Sequence, residues 1–168
     1  MLSFPHRYSA SLSRTYASHA RIEAPPLPEF HGDPSPERVG AVHACSPEHM
    51  LLSSLGLCML TTFEAFAARD GIDVLAWEAK VGGTVENTPE GLMFTSIVLE
   101  IGMALAGNVD RAEATLEDAK QYSLVLNSLR IPVVIETQLR MANEAAIKAQ
   151  HQRVGDRSPG EPTVALLG

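Results

Sequence analysis

From Ser46 to Cys58 the chain reads Ser-Pro-Glu-His-Met-Leu-Leu-Ser-Ser-Leu-Gly-Leu-Cys, and it stays apolar through Met59, Leu60 and Phe63. Ser46 can accept a hydrogen bond from an orphan N–H of a first helical turn. Pro47 suits the first helical position, and Glu48 complements the positive end of the dipole. From Met50 to Phe66 the side chains of Leu51, Leu52, Leu55, Leu57, Met59, Leu60 and Phe63 cover the full circle, and a helix apolar all round is expected to be buried on every side. The rest of the fold has to supply that cover. One thiol, Cys58, lies in the middle of the run, and spacing alone reads such a cysteine as inert core rather than as a nucleophile.

With 168 residues the size prior gives one domain, expected over residues 1–141, with 142–168 a C-terminal extension that is partly helical and then a loose tail. The composition is that of a globular chain, and no apolar run is read as a bilayer span. A net charge of −7 without a sizeable basic cluster argues against nucleic acid and against acidic membrane surfaces as partners. Two cysteines are no disulfide framework and suit a reducing cytoplasm. Residues 1–21 carry Arg7, Arg14, Arg21, five serines and no acid, a superficial likeness to a mitochondrial transit peptide. Pro5 sits badly in an amphipathic helix, however, and the alternation around Tyr8, Ala10, Leu12, Ala20 and Ile22 reads as a β-hairpin.

The remaining pattern predicts strands at 6–14 and 18–23, then a loop over 24–45 rich in proline and glycine. The helix is expected at about 47–69, closed by Gly71 as a left-handed cap. A strand follows at 74–86 with Trp77, Ala79 and Val81 on one face, and then a turn over Thr88-Pro89-Glu90-Gly91. Residues 92–105 keep strict period two, with Met93, Ile97, Leu99, Ile101, Met103 and Leu105 on one face. Helices at about 109–121 and 124–129 and a last strand through Val133, Ile135, Thr137 and Leu139 complete an α+β order with antiparallel sheets.

The run Ser46-Pro47-Glu48-His49-Met50-Leu51-Leu52, then Ser54-Leu55-Gly56-Leu57-Cys58, then Ala68-Arg69-Asp70-Gly71-Ile72 resembles the signature of the OsmC/Ohr superfamily of thiol-dependent hydroperoxide reductases. Glu29-Phe30-His31-Gly32 and the segment from Ala119 to Leu129 add to the resemblance, which covers roughly residues 8–140. It implies an OsmC-like fold with antiparallel sheets packed on a long central helix, in an intertwined homodimer. It implies that Cys58 is the peroxide-attacking cysteine, activated by an arginine of the N-terminal hairpin that a glutamate orients. Glu48 matches the glutamate; Arg14 is the first choice for the arginine and Arg21 the second. No cofactor is implied.

Ten helical residues span about 15 Å, so Glu48 and Cys58 of one straight helix cannot meet. Two antiparallel copies could bring Glu48 of one chain beside Cys58 of the other, which makes the expected site a product of the dimer. The sequence departs from the pattern at the family's resolving cysteine, whose place is taken by Ser123. Serine cannot condense with a sulfenic acid to close a disulfide. Turnover then falls to an external thiol reductant or to Cys45, or the activity is lost. Cys45 otherwise reads as an incidental small residue.

His43, Cys45, Glu48 and His49 fall close together, but no standard zinc spacing is present, and no metal site is expected. Two functions follow. One is a peroxidase that reduces organic hydroperoxides through Cys58. The other is a non-catalytic homodimer whose pocket holds a small apolar ligand, with Cys58 merely lining it.

Overall fold

The computed structural model describes residues 6, 8–14, 20–24, 26–34 and 44–142, without the side chain of Arg14. Apart from Ala142, the expected C-terminal extension lies outside the described residues, as does His43. The chain divides into two compact units, Met1–Leu51 and Leu52–Gly168, with the boundary inside the long helix.

In the first unit, β1 (Ser11–Arg14) and β2 (Ala20–Glu23) pair antiparallel, Ser11 opposite Glu23 and Arg14 opposite Ala20. The hairpin reading of this region holds. The loop expected over 24–45 contains a third strand, β3 (Phe30–Gly32), antiparallel to β2. Glycine and proline density concealed it, because a three-residue strand needs only a few ladder bonds. Asp33 is buried just after it; its N–H donates to the Cys45 carbonyl at 3.1 Å and its carboxylate accepts from the Ala44 N–H at 2.9 Å. Gly32 makes an isolated parallel bridge with Cys45.

Helix α1 runs Pro47–Asp70. Ser46 is fully buried and caps it, its Oγ accepting from the His49 N–H at 3.3 Å, and Gly71 closes it with φ +72° as the sequence predicts. By length and composition this helix could cross a bilayer, contrary to the expectation that no segment would. In the fold it packs on a sheet. Leu55, Gly56, Met59, Phe63 and Ala67 form its buried stripe, set by the i, i+4 rows that face the strands. The described residues do not cover it on all sides: Leu57 is 61% exposed on the other side.

The second unit is built on β4 (Ile72–Thr88), β5 (Gly91–Gly107) and β6 (Val133–Met141), in the order β4-β5-β6. The first pair is antiparallel and the second parallel, so the sheet is mixed rather than antiparallel throughout. The connection from β5 to β6 is long enough for a crossover. It carries a short 3-10 turn (Val109–Arg111), α2 (Ala112–Tyr122) and α3 (Leu124–Ser128).

Ile97, Leu99, Ile101, Met103 and Leu105 of β5 are all buried against Leu55, Met59 and Phe63, each worth about 1.5–3 kcal/mol. The phase breaks at Thr95. The β4–β5 register shifts between Thr84 and Val85, so Phe94 rather than Met93 packs on the core, and Met93 is exposed. A bulge of one residue exchanges the faces of the strand beyond it. Helix and sheet approach closely where Gly56 faces β4; a Cβ there would lie 3.2 Å from Val81 Cγ2. Phe63 meets Trp77 with ring centroids 5.5 Å apart.

Candidate functional site

Cys58 is half-buried, on the flank of α1 between the core stripe and the exposed side. Ser123, the residue between α2 and α3, is fully buried, and its Oγ lies 3.4 Å from the Cys58 Sγ. The crossover therefore returns the residue at the expected resolving position to the thiol. Burial raises the Cys58 pKa. Donation to the sulfur from the Ser123 hydroxyl, the Val125 N–H, the Thr62 hydroxyl and the Leu124 N–H outweighs burial and leaves the thiol below its ordinary value. Each donor stabilises thiolate more than thiol. All four lie in the second unit.

The other expected residues lie in the first unit. Glu48 is half-buried in the first turn of α1. Arg21, on β2, pairs with Glu23 at 2.9 Å and with Glu29 at 3.6 Å. Arg14 is placed on β1, its side chain outside the described residues. Cys45 is a free, exposed thiol. His49, exposed, turns its Nδ1 to the Ser46 Oγ at 2.8 Å. Among the described residues, no group of three His, Cys, Asp or Glu side chains is placed to hold a metal ion.

Sequence reading missed Thr62 and the two amides. Its available signal was the i, i+4 spacing that puts Thr62 one turn beyond Cys58 on the same face. It also missed a charged cluster at the end of α1. Asp70, 6% exposed, accepts from Arg69 Nε at 2.7 Å and from the Thr115 hydroxyl at 2.7 Å, with Arg111 Nε 3.7 Å away. Hydrogen bonds from Arg69 and then Thr115, with the Arg111 charge, hold its carboxyl well below the usual carboxylate range against the opposing effect of burial. Arg69 also reaches Asp118 at 2.7 Å and lies over the Phe66 ring, which contacts Tyr122 beside Ser123. An open, charged cavity of about 860 Å³ is lined by Glu78, Lys80, Glu100, Glu136 and Arg140 among others, and by none of the groups that donate to Cys58.

The family model for OsmC-like proteins matches residues 40–138, a span that holds α1 with Cys58 and the crossover with Ser123. The chain belongs to the OsmC-like family. No curated protein sequence matches it. Among solved structures, this OsmC-like chain is similar to an OsmC-like protein of unknown function from Vibrio cholerae, with 19% identity and a TM-score of 0.71. That match covers 80% of this chain and 100% of the other. An OsmC-like protein from Mycoplasma pneumoniae gives 15% identity and a TM-score of 0.70, over 83% and 100% of the two chains. An organic hydroperoxide resistance protein from Legionella pneumophila gives 17% and 0.62, over 82% and 98%. At these identities the likeness establishes the OsmC-like fold, in agreement with the α+β expectation.

Proposed function

We propose that this OsmC-like protein is a thiol-dependent peroxidase that reduces organic hydroperoxides through Cys58, working as a cytoplasmic homodimer. The observation that carries the reading is the half-buried Cys58 thiol, lowered below its ordinary value by the donors around Ser123. Similarity to an organic hydroperoxide resistance protein supports it. The uncovered side of α1, with Leu57 exposed, supports a second copy as its cover.

The Cys58 thiolate attacks the distal peroxide oxygen. An S–O bond forms as the O–O bond breaks, the sulfur is oxidised by two electrons, and the alkoxide leaves with a proton as the alcohol. The product is a sulfenic acid on Cys58. An external thiol then condenses with it, releasing water and leaving a mixed disulfide, and a second thiol frees Cys58 as an external disulfide is formed. Arg14, or Arg21 in its place, is assigned to lowering the Cys58 pKa, with Glu48 holding the arginine. Cys45 is the alternative source of the resolving thiol.

The test is consumption of cumene hydroperoxide with dithiothreitol as reductant. Wild type is expected to turn over and Cys58→Ser to be inactive. After one equivalent of hydroperoxide without reductant, dimedone should label Cys58 in a monomer band on a non-reducing gel. A covalent dimer that vanishes in Cys45→Ser would instead assign resolution to Cys45. Unmodified Cys58 overturns the peroxidase reading and favours the ligand-binding one. In Ser123→Cys, a disulfide between Cys58 and the new cysteine is expected, because a contact of 3.4 Å lets the two sulfurs close to bonding distance with a small side-chain movement.

A further inference from the structure

Cys58, Phe66 and Asp70 are spaced by multiples of four along α1 and so share one side of it. Their partners on the crossover come in the reverse order. The Thr115 hydroxyl meets the Asp70 carboxylate at 2.7 Å, and the Tyr122 ring meets that of Phe66 with centroids 5.3 Å apart. The Ser123 hydroxyl then meets the Cys58 sulfur at 3.4 Å. Helix α2 therefore descends along α1, antiparallel to it, and ends at the thiol. Arg69 ties the two helices between these points. Its Nε and Nη2 hold both carboxylate oxygens of Asp70, at 2.7 and 2.9 Å, and Nη2 also reaches Asp118 Oδ2 at 2.7 Å. The same guanidinium lies 4.6 Å from the centre of the Phe66 ring.

Leu116 and Ala119 bury α2 in the core, but burial is non-directional and leaves a helix some play along its neighbour. A forked ion pair fixes distance and angle together. Play matters at Ser123: one residue's rise, about 1.5 Å, is nearly half of its 3.4 Å contact with Cys58. Arg69 and Asp118 are 48% and 39% exposed, so their pair adds little to global stability. What it can set is register. We propose that Arg69, clamped by Asp70, joins Asp118 and the Phe66–Tyr122 ring pair in a latch that fixes the end of α2 along α1 and so holds Ser123 against Cys58. Arg69 and Asp118 are thus positioning residues, acting on the thiol only through Ser123. Thr115 pins the start of α2, about two turns away, and is not part of the latch. The bearing of the latch on catalysis rests on the reading of Cys58 as the peroxide-reacting thiol; its geometry does not.

The experiment turns the contact into a ruler. The full chain carrying Cys45→Ser and Ser123→Cys is equilibrated with glutathione, each protein disulfide formed releasing two glutathione thiols from one glutathione disulfide. The effective concentration of the two protein thiols is read from the disulfide fraction, with folding checked by circular dichroism. Asp118→Ala should lower it several-fold. Asp118→Asn, which keeps an acceptor for Arg69, should restore most of it. Thr115→Val should leave it unchanged although it lowers the urea midpoint. Salt at about 1 M, where charges are screened within about 3 Å, should lower it in the parent and not in Asp118→Ala. With Ser123 in place, the pH midpoint of Cys58 alkylation by iodoacetamide should rise in Asp118→Ala. An unchanged effective concentration in Asp118→Ala, or an equal fall in Thr115→Val, overturns the latch. A parent that forms no disulfide overturns the contact on which the latch acts. The expected pattern, with no dimedone adduct on Cys58 of the wild type after cumene hydroperoxide, supports the latch and overturns the peroxidase reading instead.

Discussion

Asp70 and Cys58 stand on the same helix, and each is held toward its charged form, by opposite means. Asp70 is surrounded by charge: Arg69 at 2.7 Å and Arg111 at 3.7 Å, with one neutral hydroxyl from Thr115. The groups that hold the Cys58 pKa down are neutral, first the Ser123 hydroxyl at 3.4 Å, then the Val125 amide, the Thr62 hydroxyl and the Leu124 amide. A guanidinium pair fixes a carboxylate so firmly that it cannot act as an acid or base near neutral pH. Neutral donors favour the anion more gently and leave its lone pairs free to attack. The first arrangement joins the end of α1 to α2; the second, on the function proposed above, prepares a nucleophile.

The same deletion, a buried hydroxyl that donates to each group, should separate the two roles. Thr115→Val is expected to cost about 1.5–3 kcal/mol, the range for a hydrogen bond to a charged group. Urea unfolding reads that loss, and the alkylation midpoint of Cys58 should stay in place. Ser123→Ala should cost less, about 0.5–1.5 kcal/mol, while moving the midpoint. Equal stability losses with an unmoved midpoint in both would erase the distinction.

Stability against pH sharpens it further. Both groups have depressed folded pKa values, so each contribution is complete above the ordinary value and lost as pH falls through the folded one. For Asp70 the loss lies on the acid side, below the ordinary carboxylate value of about 3.9. For Cys58 the gain appears on the alkaline side and is complete above about 8.5. Urea midpoints at pH 3, 6 and 9 should show Asp70→Asn flattening the acid limb and Cys58→Ser the alkaline one. The smallest effect is expected from Arg111→Gln, a more exposed and longer contact, which should barely shift the urea midpoint at pH 6.

What could be read from the sequence divides along the range of the interactions. The ends of α1 were legible because Ser46, Pro47, Glu48 and Gly71 carry their own local signals. The buried face from Ile97 to Leu105 was legible because period two is a property of the strand itself. The exchange of Met93 for Phe94 was not, since a bulge at Thr95 leaves no mark in composition. The parallel docking of β6 and the Asp70 cluster depend on residues far apart in the chain: Thr115 stands 45 positions from Asp70 and Asp118 stands 49 from Arg69. For the site, resemblance singled out Cys58 and Ser123, and the fold put them in contact. Thr62 stayed hidden because threonine in a helix ordinarily turns to the backbone, as Thr61 does.

The parallel pairing of β5 with β6 also sets an order in time. The β4–β5 hairpin joins neighbours in sequence and can zip from its turn. Ile97 meets Val133 only after a long loop has closed, at an entropic cost that makes such contacts slow. Ser123, Leu124 and Val125 ride in that loop. Until that loop closes, the thiol on α1 lacks the Ser123 hydroxyl that lies 3.4 Å from it in the folded chain. On the function proposed above, the thiol gains its full nucleophilicity only as folding finishes.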